Sequence, residues 1–266
     1  MKNKGNLIKT IVVTGVSSGI GNAIVELLLK NNKNISVIGM GRKDSGIVNP
    51  NYQFIPVDLS NESSIDSAVK TLAEFKIDVF VSNAGIGYRG TIEDLRMGDI
   101  RKQFEVNYFG PLSLLKGIIP QITIKNAKII NIAALGSLIT VPTFGYYNVS
   151  KLALSKTLEV LQKESGIEVS NIYLGAVKSD FGKNIVESID IEKSNYKGLY
   201  SEWQNRFKNF FSGRSKAEEV AGLVESIIYN KSTAKFLTKR DRFIALSKVL
   251  LPNKMHEKVI DYYYKI

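Results

Sequence analysis

Short apolar runs alternate with amphipathic stretches through most of the chain. The β-branched run 11–13 precedes a glycine-rich turn and an apolar-periodic stretch that ends near Leu29, which predicts a strand, a tight turn and a helix. Further strands are predicted at 35–40, 54–57, 78–82, 128–133 and 168–174, and further helices at 63–75, 100–119 and 147–164. This alternation predicts an α/β fold: a doubly wound parallel sheet of the Rossmann type, flanked by helices.

Two segments depart from the alternation. Within 182–213, aromatic residues recur every three or four positions, which would place them on one helical face: Tyr196, Tyr200, Trp203, Phe207 and Phe210. We predict an aromatic helical lid after the sixth strand, which either presents these rings to an apolar substrate or packs them onto the domain. Residues 231–266 form a basic amphipathic C-terminal part, divided by Pro252. Because no linker or repeat interrupts the pattern, residues 1–266 are predicted to form a single domain.

Composition excludes several kinds of chemistry. The 266-residue chain has no cysteine and one histidine, His256. Disulfides, thiolate nucleophiles and cysteine-ligated metals are therefore excluded, and no metal site is predicted. We expect His256 to lie at the surface.

The net charge of +11 is concentrated towards the C-terminus. We attribute it to a solvated basic face, with contact to an anionic membrane surface as the less favoured alternative. Nucleic acid is not an expected partner, since no nucleic-acid module accompanies the charge. The polar, lysine-rich N-terminus has no secretory pattern, which favours a cytoplasmic location.

The glycine-rich turn has the chemistry of a phosphate-binding loop. Residues 14–21, Thr-Gly-Val-Ser-Ser-Gly-Ile-Gly, follow a strand and open a helix. The first glycine permits the turn, the later two let the backbone approach a pyrophosphate, and the helix N-terminus offers unpaired N–H groups to the phosphates. The predicted cofactor contacts in this segment are Gly15, Ser17, Ser18, Gly19, Ile20 and Gly21.

Tyr147 and Lys151 are four residues apart in a predicted helix, so they share one face of it. An ammonium group placed there can lower the pKa of the phenol, which would make the tyrosine a usable proton donor and acceptor near neutral pH. Tyr146 lies five residues before the lysine and does not share that face.

These motifs occur in a fixed order along the chain: the 14–21 turn, Asn83-Ala84-Gly85, Asn107, and Tyr147 with Lys151. Together they resemble the short-chain dehydrogenase/reductase family in its single-domain form, over about residues 11–181. The resemblance implies that Tyr147 is the general acid/base and that Lys151 lowers its pKa and holds the nicotinamide ribose. It also implies that Asn107 positions a water in the proton relay.

The resemblance further implies the remaining cofactor contacts. In this family an acidic residue at the end of the second strand favours NAD, but here no acid occurs before Asp44. Arg42, with Lys43, can instead bind a 2′-phosphate, so we predict NADP(H) in preference to NAD(H). Asp58 matches the residue that contacts adenine. The other matched contacts are Asn83, Ala84 and Gly85 beneath the adenosine ribose, and Val177 and Ser179 near the nicotinamide carboxamide.

One member of the family's catalytic set is missing. The serine that donates a hydrogen bond to the substrate oxygen falls thirteen residues before the tyrosine, and Ala134 occupies that position. Losing such a donor costs roughly 10²- to 10³-fold in turnover. We therefore expect a slow enzyme, unless the loop bends so that Ser137 reaches the substrate.

The predicted function is NADP(H)-dependent reduction of a carbonyl, or oxidation of an alcohol, on a small apolar substrate. Two alternatives are a non-catalytic NADP(H)-binding sensor or assembly protein, and altered chemistry such as dehydration or isomerisation. The resemblance also implies a homodimer or homotetramer that pairs through helices 100–119 and 147–164. Four leucines of the second helix would line that seam or the core: Leu152, Leu154, Leu158 and Leu161.

Overall fold

A six-stranded parallel sheet forms the centre of the protein, in a computed structural model that describes residues 9–122, 127–178, 181, 185–186, 189–202, 215–229 and 235–264. Its strands are β1 (Lys9–Thr14), β2 (Ile35–Gly41), β3 (Tyr52–Pro56), β4 (Val79–Ser82), β5 (Lys128–Ala134) and β6 (Glu168–Leu174). They lie in the order β3-β2-β1-β4-β5-β6, with every neighbouring pair parallel. The order changes direction between β1 and β4, and a crevice opens there at the carboxyl ends of the strands. The predicted doubly wound sheet is confirmed.

Helices cover both faces of this sheet. They are α1 (Gly19–Asn31), α2 (Glu62–Leu72), α3 (Met97–Phe104), α4 (Gly110–Ile118), α5 (Gly145–Ser165), α6 (described over 197–202), α7 (Ala217–Ile228), α8 (Lys239–Leu250) and α9 (Asn253–Tyr264). Side chains alternate between the two faces of a strand, so Ile11 and Val13 pack with α1 and α7. Val12 points the other way and packs with α2, α4 and α5. Burial on both faces explains why the strands are almost wholly apolar.

The helix predicted over 100–119 is not a single α-helix. Between α3 and α4, residues Glu105–Phe109 form one π-helical turn, in which Gly110 N–H bonds to the carbonyl of Glu105, five residues back. Pro111 has no N–H to donate to the carbonyl of Asn107, so the α-helical register cannot continue unbroken through this point. The turn places the Asn107 side chain towards the end of β4.

The leucines of α5 belong mainly to the core. Leu154 and Leu158 are fully buried against the sheet, and Leu161 packs against the same cluster. The apolar residues that α5 exposes are different ones, Val149 and Val160, each about half exposed.

The described part of the predicted lid is anchored to the loop after β4. Tyr200 is fully buried, and its hydroxyl donates to Asp94 Oδ2 at 2.7 Å while accepting from Thr91 N–H at 2.7 Å. Tyr196 donates to Glu93 Oε2 at 2.9 Å. The rest of the aromatic stripe, Trp203, Phe207 and Phe210, lies outside the described residues.

The prediction that His256 is a surface residue is wrong. The histidine is 4% exposed because α9 folds back on α8, which brings its Nδ1 to 2.9 Å from the Ser247 hydroxyl. Since that hydroxyl gives its hydrogen to the carbonyl of Ile244 at 2.7 Å, the imidazole Nδ1 must be the donor to Ser247. Burial lowers the pKa of His256, which keeps the ring neutral in this contact.

The C-terminal helices buttress the loop that follows β5. Ile244 and Ala245 of α8 and Ile260 of α9 form a cluster with Leu135 and Ile139. The C-terminal part therefore supports one wall of the crevice. Among the described residues, no helix combines the length and apolarity needed to span a membrane.

Candidate cofactor and substrate cleft

A cleft of about 880 Å³ opens at the carboxyl ends of the strands, where the strand order changes direction. It brings together most of the predicted site residues: Gly15, Ser17, Ser18, Gly19, Ile20, Arg42, Asp58, Asn83, Ala84, Gly85, Tyr147, Lys151 and Val177. Gly21 and Asn107 lie behind its surface, and Ser179 falls outside the described residues. The sequence motifs, widely separated along the chain, thus converge on one cleft.

The glycine turn shapes one end of the cleft. Gly15 and Gly19 have φ values of 75° and 60°, a left-handed conformation that side chains other than glycine rarely tolerate. A Cβ at Gly21 would collide with the carbonyl oxygen of Gly15, so only glycine lets α1 start this close to the turn. Ser18 caps α1 without a side-chain bond, and no acid lies in the first helical turn. The N-terminus of α1 therefore presents N–H groups and a positive dipole end to the cleft.

A hydrogen-bonded link between β1 and β4 fixes the width of this end. The Thr14 hydroxyl accepts from the N–H groups of Asn83 and Ala84 at 3.0 and 3.1 Å. In return, the Asn83 side chain donates to the carbonyls of Thr14 and Gly15 at 2.9 and 3.1 Å. This role of Thr14 was not predictable from the sequence, because its partners are about seventy residues away and nothing in the local pattern marks the contact.

Positive charge surrounds the outer part of the same end. Arg42 and Lys43 are exposed and line the cleft, and Arg42 forms no ion pair with any described residue. Asp58 accepts from the N–H and hydroxyl of Ser60 at 2.9 and 2.7 Å. Those bonds, with the charges of Arg42 and Lys102, lower the pKa of Asp58. Lys102 of α3 also lines the cleft. It was not predicted from the sequence, because the spacing of residues within one helix does not show which of them face a distant cleft.

Asp44, the first acid after β2, does not line the cleft. Its carboxylate accepts from the hydroxyl of Tyr52 at 3.1 Å and from the N–H of Gly46 at 3.3 Å. It is held in its own loop, leaving the cationic pair Arg42 and Lys43 facing the cleft.

Tyr147 lies in the inner part of the cleft between two aromatic rings. Its ring centroid is 6.0 Å from that of Phe144 and 5.4 Å from that of Phe181. Within the described residues its hydroxyl has no hydrogen-bond partner, so it is available to a ligand. The expected lowering of its pKa by Lys151 is not found: burial dominates and raises the pKa of Tyr147. Burial also lowers the pKa of Lys151 to about 8.

Gly85 makes room for two of the predicted residues. A Cβ there would lie 3.1 Å from Asn107 Oδ1 and 3.4 Å from Lys151 Nζ. Asn107 is 1% exposed and holds the loop after β4, since its Oδ1 accepts from Ile86 N–H and its Nδ2 donates to Ile86 O, both at 2.9 Å. Its Nδ2 also donates to Ser150 Oγ at 3.0 Å, and Ser150 in turn donates to the carbonyl of Tyr147 at 2.7 Å. The Asn107 side chain therefore braces the helix that carries Tyr147.

At the position of the missing serine, the side chain that faces the cleft has no polar group. Ala134 lines the cleft at the end of β5. Ser137 does not line it: the hydroxyl is buried and donates to the carbonyl of Ala134 at 2.6 Å. The alternative in which Ser137 replaces the missing donor is therefore not supported, because its one hydrogen is already committed.

One polar side chain in this region, Asn148, was not among the residues predicted from the sequence. It is 7% exposed and lines the cleft beside Gly136, and its carboxamide has no hydrogen-bond partner within the described residues. The available signal was its place directly after Tyr147, which identifies a neighbour of the cleft but not the direction of the side chain.

More than half of the chain matches a known protein family. The family model described as short chain dehydrogenase matches residues 9–190. The chain belongs to this family. Members of this family are oxidoreductases. Membership accounts for the parallel sheet, the glycine turn and the tyrosine–lysine pair described above.

Relatives of this short-chain dehydrogenase extend over nearly its full length. A probable short-chain type dehydrogenase/reductase, VdlC of Helicobacter pylori, is 28% identical over 90% of this chain and 92% of its own. An NADPH-dependent 3-dehydrocapnine reductase of Ornithobacterium rhinotracheale is 27% identical over 93% and 94%. The crystal structure of a short-chain dehydrogenase from Streptomyces avermitilis superposes with a TM-score of 0.78 at 23% identity, covering 96% of each chain, and supports the fold.

The cleft fits the nicotinamide dinucleotide that the family uses. A Cβ at Gly15 would lie 2.8 Å from Ala84 Cα, so only glycine lets the turn after β1 pack this closely against the loop after β4. Helix α1 supplies N–H groups for phosphates, and Arg42 supplies a charge at the outer end. Lys151 and Tyr147 lie at the inner end, where a nicotinamide and its ribose would be held.

Proposed function

We propose that the protein is an NADP(H)-dependent oxidoreductase that reduces a carbonyl group, or oxidises the corresponding alcohol, on a small apolar substrate. The observation that carries this function is the convergence of Tyr147 and Lys151 with the glycine turn on one cleft. The two side chains project from one face of α5, and the turn faces them from the end of β1.

The preference for NADP(H) is supported by charge. Arg42, Lys43 and Lys102 line the cleft, and the acid nearest to the end of β2, Asp44, is engaged within its loop. A guanidinium can bind a 2′-phosphate through two parallel N–H bonds, whereas the described residues directly after β2 offer the cleft no carboxylate for the two free hydroxyls of NAD. The NADPH-dependent reductase among the relatives is consistent with this choice.

Tyr147 would act as the proton donor in reduction. Because burial raises its pKa, the phenol is held protonated in the resting protein, the form that a carbonyl oxygen needs. When bound, the dinucleotide supplies the hydride. Lys151 would bind the nicotinamide ribose and stabilise the phenolate with its positive charge. Asn107 would keep the loop after β4 and helix α5 in register through Ile86 and Ser150.

An apolar substrate is supported by the walls of the inner cleft. Apart from Tyr147, Asn148 and Lys151, the surfaces near the reacting end are mostly hydrocarbon: Ile86, Leu135, Val141, Phe144, Phe181 and Val186. Such walls favour a substrate with an alkyl or ring body and penalise one with charges, which would lose hydration without gaining partners.

The alternative functions keep a specific basis in Ala134. Without the family's serine, the cleft could bind NADP(H) without reducing anything, or act on a substrate that supplies its own hydrogen bond during dehydration or isomerisation. Both alternatives use the same cofactor contacts and differ only at the inner end.

In the same proposal, the chain acts as a single cytoplasmic domain and assembles as a homodimer or homotetramer. Apolar residues at the surface of α5 and the π-helical turn support such a seam, since Val149, Val160 and Phe109 are each about half exposed. Light scattering on the eluting protein would give its mass, and a monomer at every concentration would refute the assembly.

The function is tested by two measurements on the purified protein. Fluorescence titration should show tighter binding of NADPH than of NADH. Loss of nicotinamide absorbance should then follow the addition of apolar ketones or aldehydes from a panel. Tight NADPH binding with no turnover on any carbonyl would favour the binding-protein or altered-chemistry alternatives. No binding of either nucleotide would refute the proposal.

A further inference from the structure

The inner cleft contains a side-chain amide that none of the roles described so far uses. Asn148 follows Tyr147 in α5 and is 7% exposed, but it lines the cleft. Its backbone N–H is paired with the carbonyl of Phe144 at 2.9 Å, whereas the described residues provide no hydrogen-bond partner for its side chain. A carboxamide has two donor hydrogens and two acceptor lone pairs, and those of Asn148 are accessible from the cleft.

Building on the function proposed above, we propose that Asn148 donates to the substrate oxygen the hydrogen bond that Ala134 cannot provide. The substrate class is then a compound whose reacting carbonyl lies between the Tyr147 hydroxyl and the Asn148 amide. Two donors from adjacent residues of one helix would thus take the places of the tyrosine and the serine.

The position of the amide supports this role. A Cβ placed on Gly136 would lie 2.5 Å from Asn148 Oδ1 and 2.9 Å from its Nδ2, so the side chain fills the space that Gly136 leaves open. Gly136 is two residues beyond Ala134, and all three residues line the cleft. The amide is therefore held between the helix that carries the proton donor and the loop that carries the missing donor position.

The geometry also makes the amide a better candidate than its polar neighbours. The Ser137 hydroxyl is committed to the carbonyl of Ala134. Thr14 and Asn83 are bonded to each other at the opposite end of the cleft. Tyr88 also lines the cleft, but it packs in a cluster with Leu95 and Ile100 on the loop after β4. Asn148 alone of these neighbours lines the cleft from α5 and contacts the loop after Ala134.

A double-mutant cycle with Ala134→Ser tests the assignment. Asn148→Leu, which keeps the volume but removes the donors, should lower kcat/KM for an apolar ketone by roughly 10²- to 10³-fold. In the Ala134→Ser background the same change should cost only a few-fold, because the restored hydroxyl now supplies the bond. Tyr88→Phe, in the native background, serves as the contrasting change and should cost much less than Asn148→Leu.

A binding measurement separates this role from a structural one. In the NADP⁺ complex, calorimetry with a dialkyl sulfoxide should show about tenfold weaker binding after Asn148→Leu, since the S=O oxygen accepts the same bond but cannot take hydride. The dissociation constant of NADP⁺ and the Tm should stay near the native values. Asn148→Asp, which keeps the shape and removes the donor hydrogens, should behave like Asn148→Leu.

The outcomes are distinguishable. If native protein and Ala134→Ser both bind NADPH but reduce no carbonyl, the proposed function fails and the role of Asn148 fails with it. If the native protein reduces ketones and Asn148→Leu loses the same factor in both backgrounds, or loses nothing, only the role of Asn148 is overturned. A larger loss in Tyr88→Phe than in Asn148→Leu would overturn it as well.

Discussion

The two ends of the cleft are built in different ways. At the dinucleotide end, backbone geometry dominates: two glycines with positive φ, a helix N-terminus and a link between Thr14 and Asn83. At the substrate end, side chains dominate, and their polar groups are few. Ala134 has none, and Ser137 turns its hydroxyl to the backbone. We therefore expect substitutions at the substrate end to change turnover while leaving the sheet and the glycine turn intact.

Tyr147 and Lys151 lie at the inner end of the cleft. Their burial opposes charge, raising the pKa of the phenol and lowering that of the ammonium to about 8. Burying this pair lowers the stability of the folded protein. It also suits a proton-transfer reaction, because the phenol stays protonated until a ligand changes its surroundings. Substitutions on either side of this pair should therefore separate nucleotide binding from turnover.

The largest effect is expected from Tyr147→Phe. Turnover of an apolar ketone should fall by roughly 10²- to 10⁴-fold, because the proton donor is lost, while the dissociation constant of NADPH should stay nearly unchanged. Steady-state kinetics and fluorescence titration measure the two quantities. Tyr146→Phe is the matched control, since Tyr146 does not line the cleft, and it should retain turnover. Equal losses in the two variants would contradict the assignment of Tyr147.

Lys151→Met should stabilise the protein near neutral pH while reducing turnover. With a folded pKa of about 8 against an ordinary 10.5, the lysine binds its proton more weakly in the folded than in the unfolded state. Native stability therefore rises with pH between these values, by up to about 1.4 kcal/mol for each pH unit. Below about pH 8 the buried ammonium destabilises the native protein by its full amount, on the order of 3 kcal/mol.

Urea unfolding of both proteins over a pH series tests this. The stability advantage of Lys151→Met should be greatest below about pH 8 and should shrink as the pH rises towards 10.5. Lys156→Met is the control on the same helix, because Lys156 is exposed and paired with Glu159 at 2.8 Å. An advantage that is independent of pH would show that the burial of Lys151 does not depress its pKa.

Arg42→Ala should change cofactor choice by a smaller factor. We expect NADPH binding to weaken about tenfold, because one charge-assisted contact to the 2′-phosphate is lost at an exposed site, and NADH binding to change little. Arg101→Ala is the matched control, since Arg101 is exposed but does not line the cleft. If Arg42→Ala weakened the binding of NADPH and of NADH equally, contact with the 2′-phosphate would not explain the effect.

The strands of the parallel sheet and the glycine turn were predictable, because buried parallel strands leave continuous β-branched runs and a turn with positive φ requires glycine. The ends of the strands were less predictable. β3 begins at Tyr52, two residues before the predicted start, because Tyr52 pairs with Val37 of β2. The residue pattern within one stretch of the chain does not reveal which residues of two strands are paired.

Features that depend on long-range packing were not predictable. The bracing role of Asn107 depends on its contacts with Ile86 and Ser150, which are 21 and 43 residues away. His256 is buried because α9 folds against α8, and Asn148 faces the cleft because Gly136 leaves space for it. The pKa of Tyr147 is likewise set by burial, which a spacing of four residues does not reveal.

The central claim is that this cleft transfers hydride to a carbonyl carbon, and isotope transfer tests it most directly. Protein at a concentration equal to that of the ketone would be incubated with NADPH carrying deuterium on the transferable position of the nicotinamide ring. We expect mass spectrometry to find an alcohol with deuterium on the carbon that bears the new hydroxyl, even when turnover is slow. Bound NADPH that yields no deuterated alcohol from any apolar ketone or aldehyde would contradict the account.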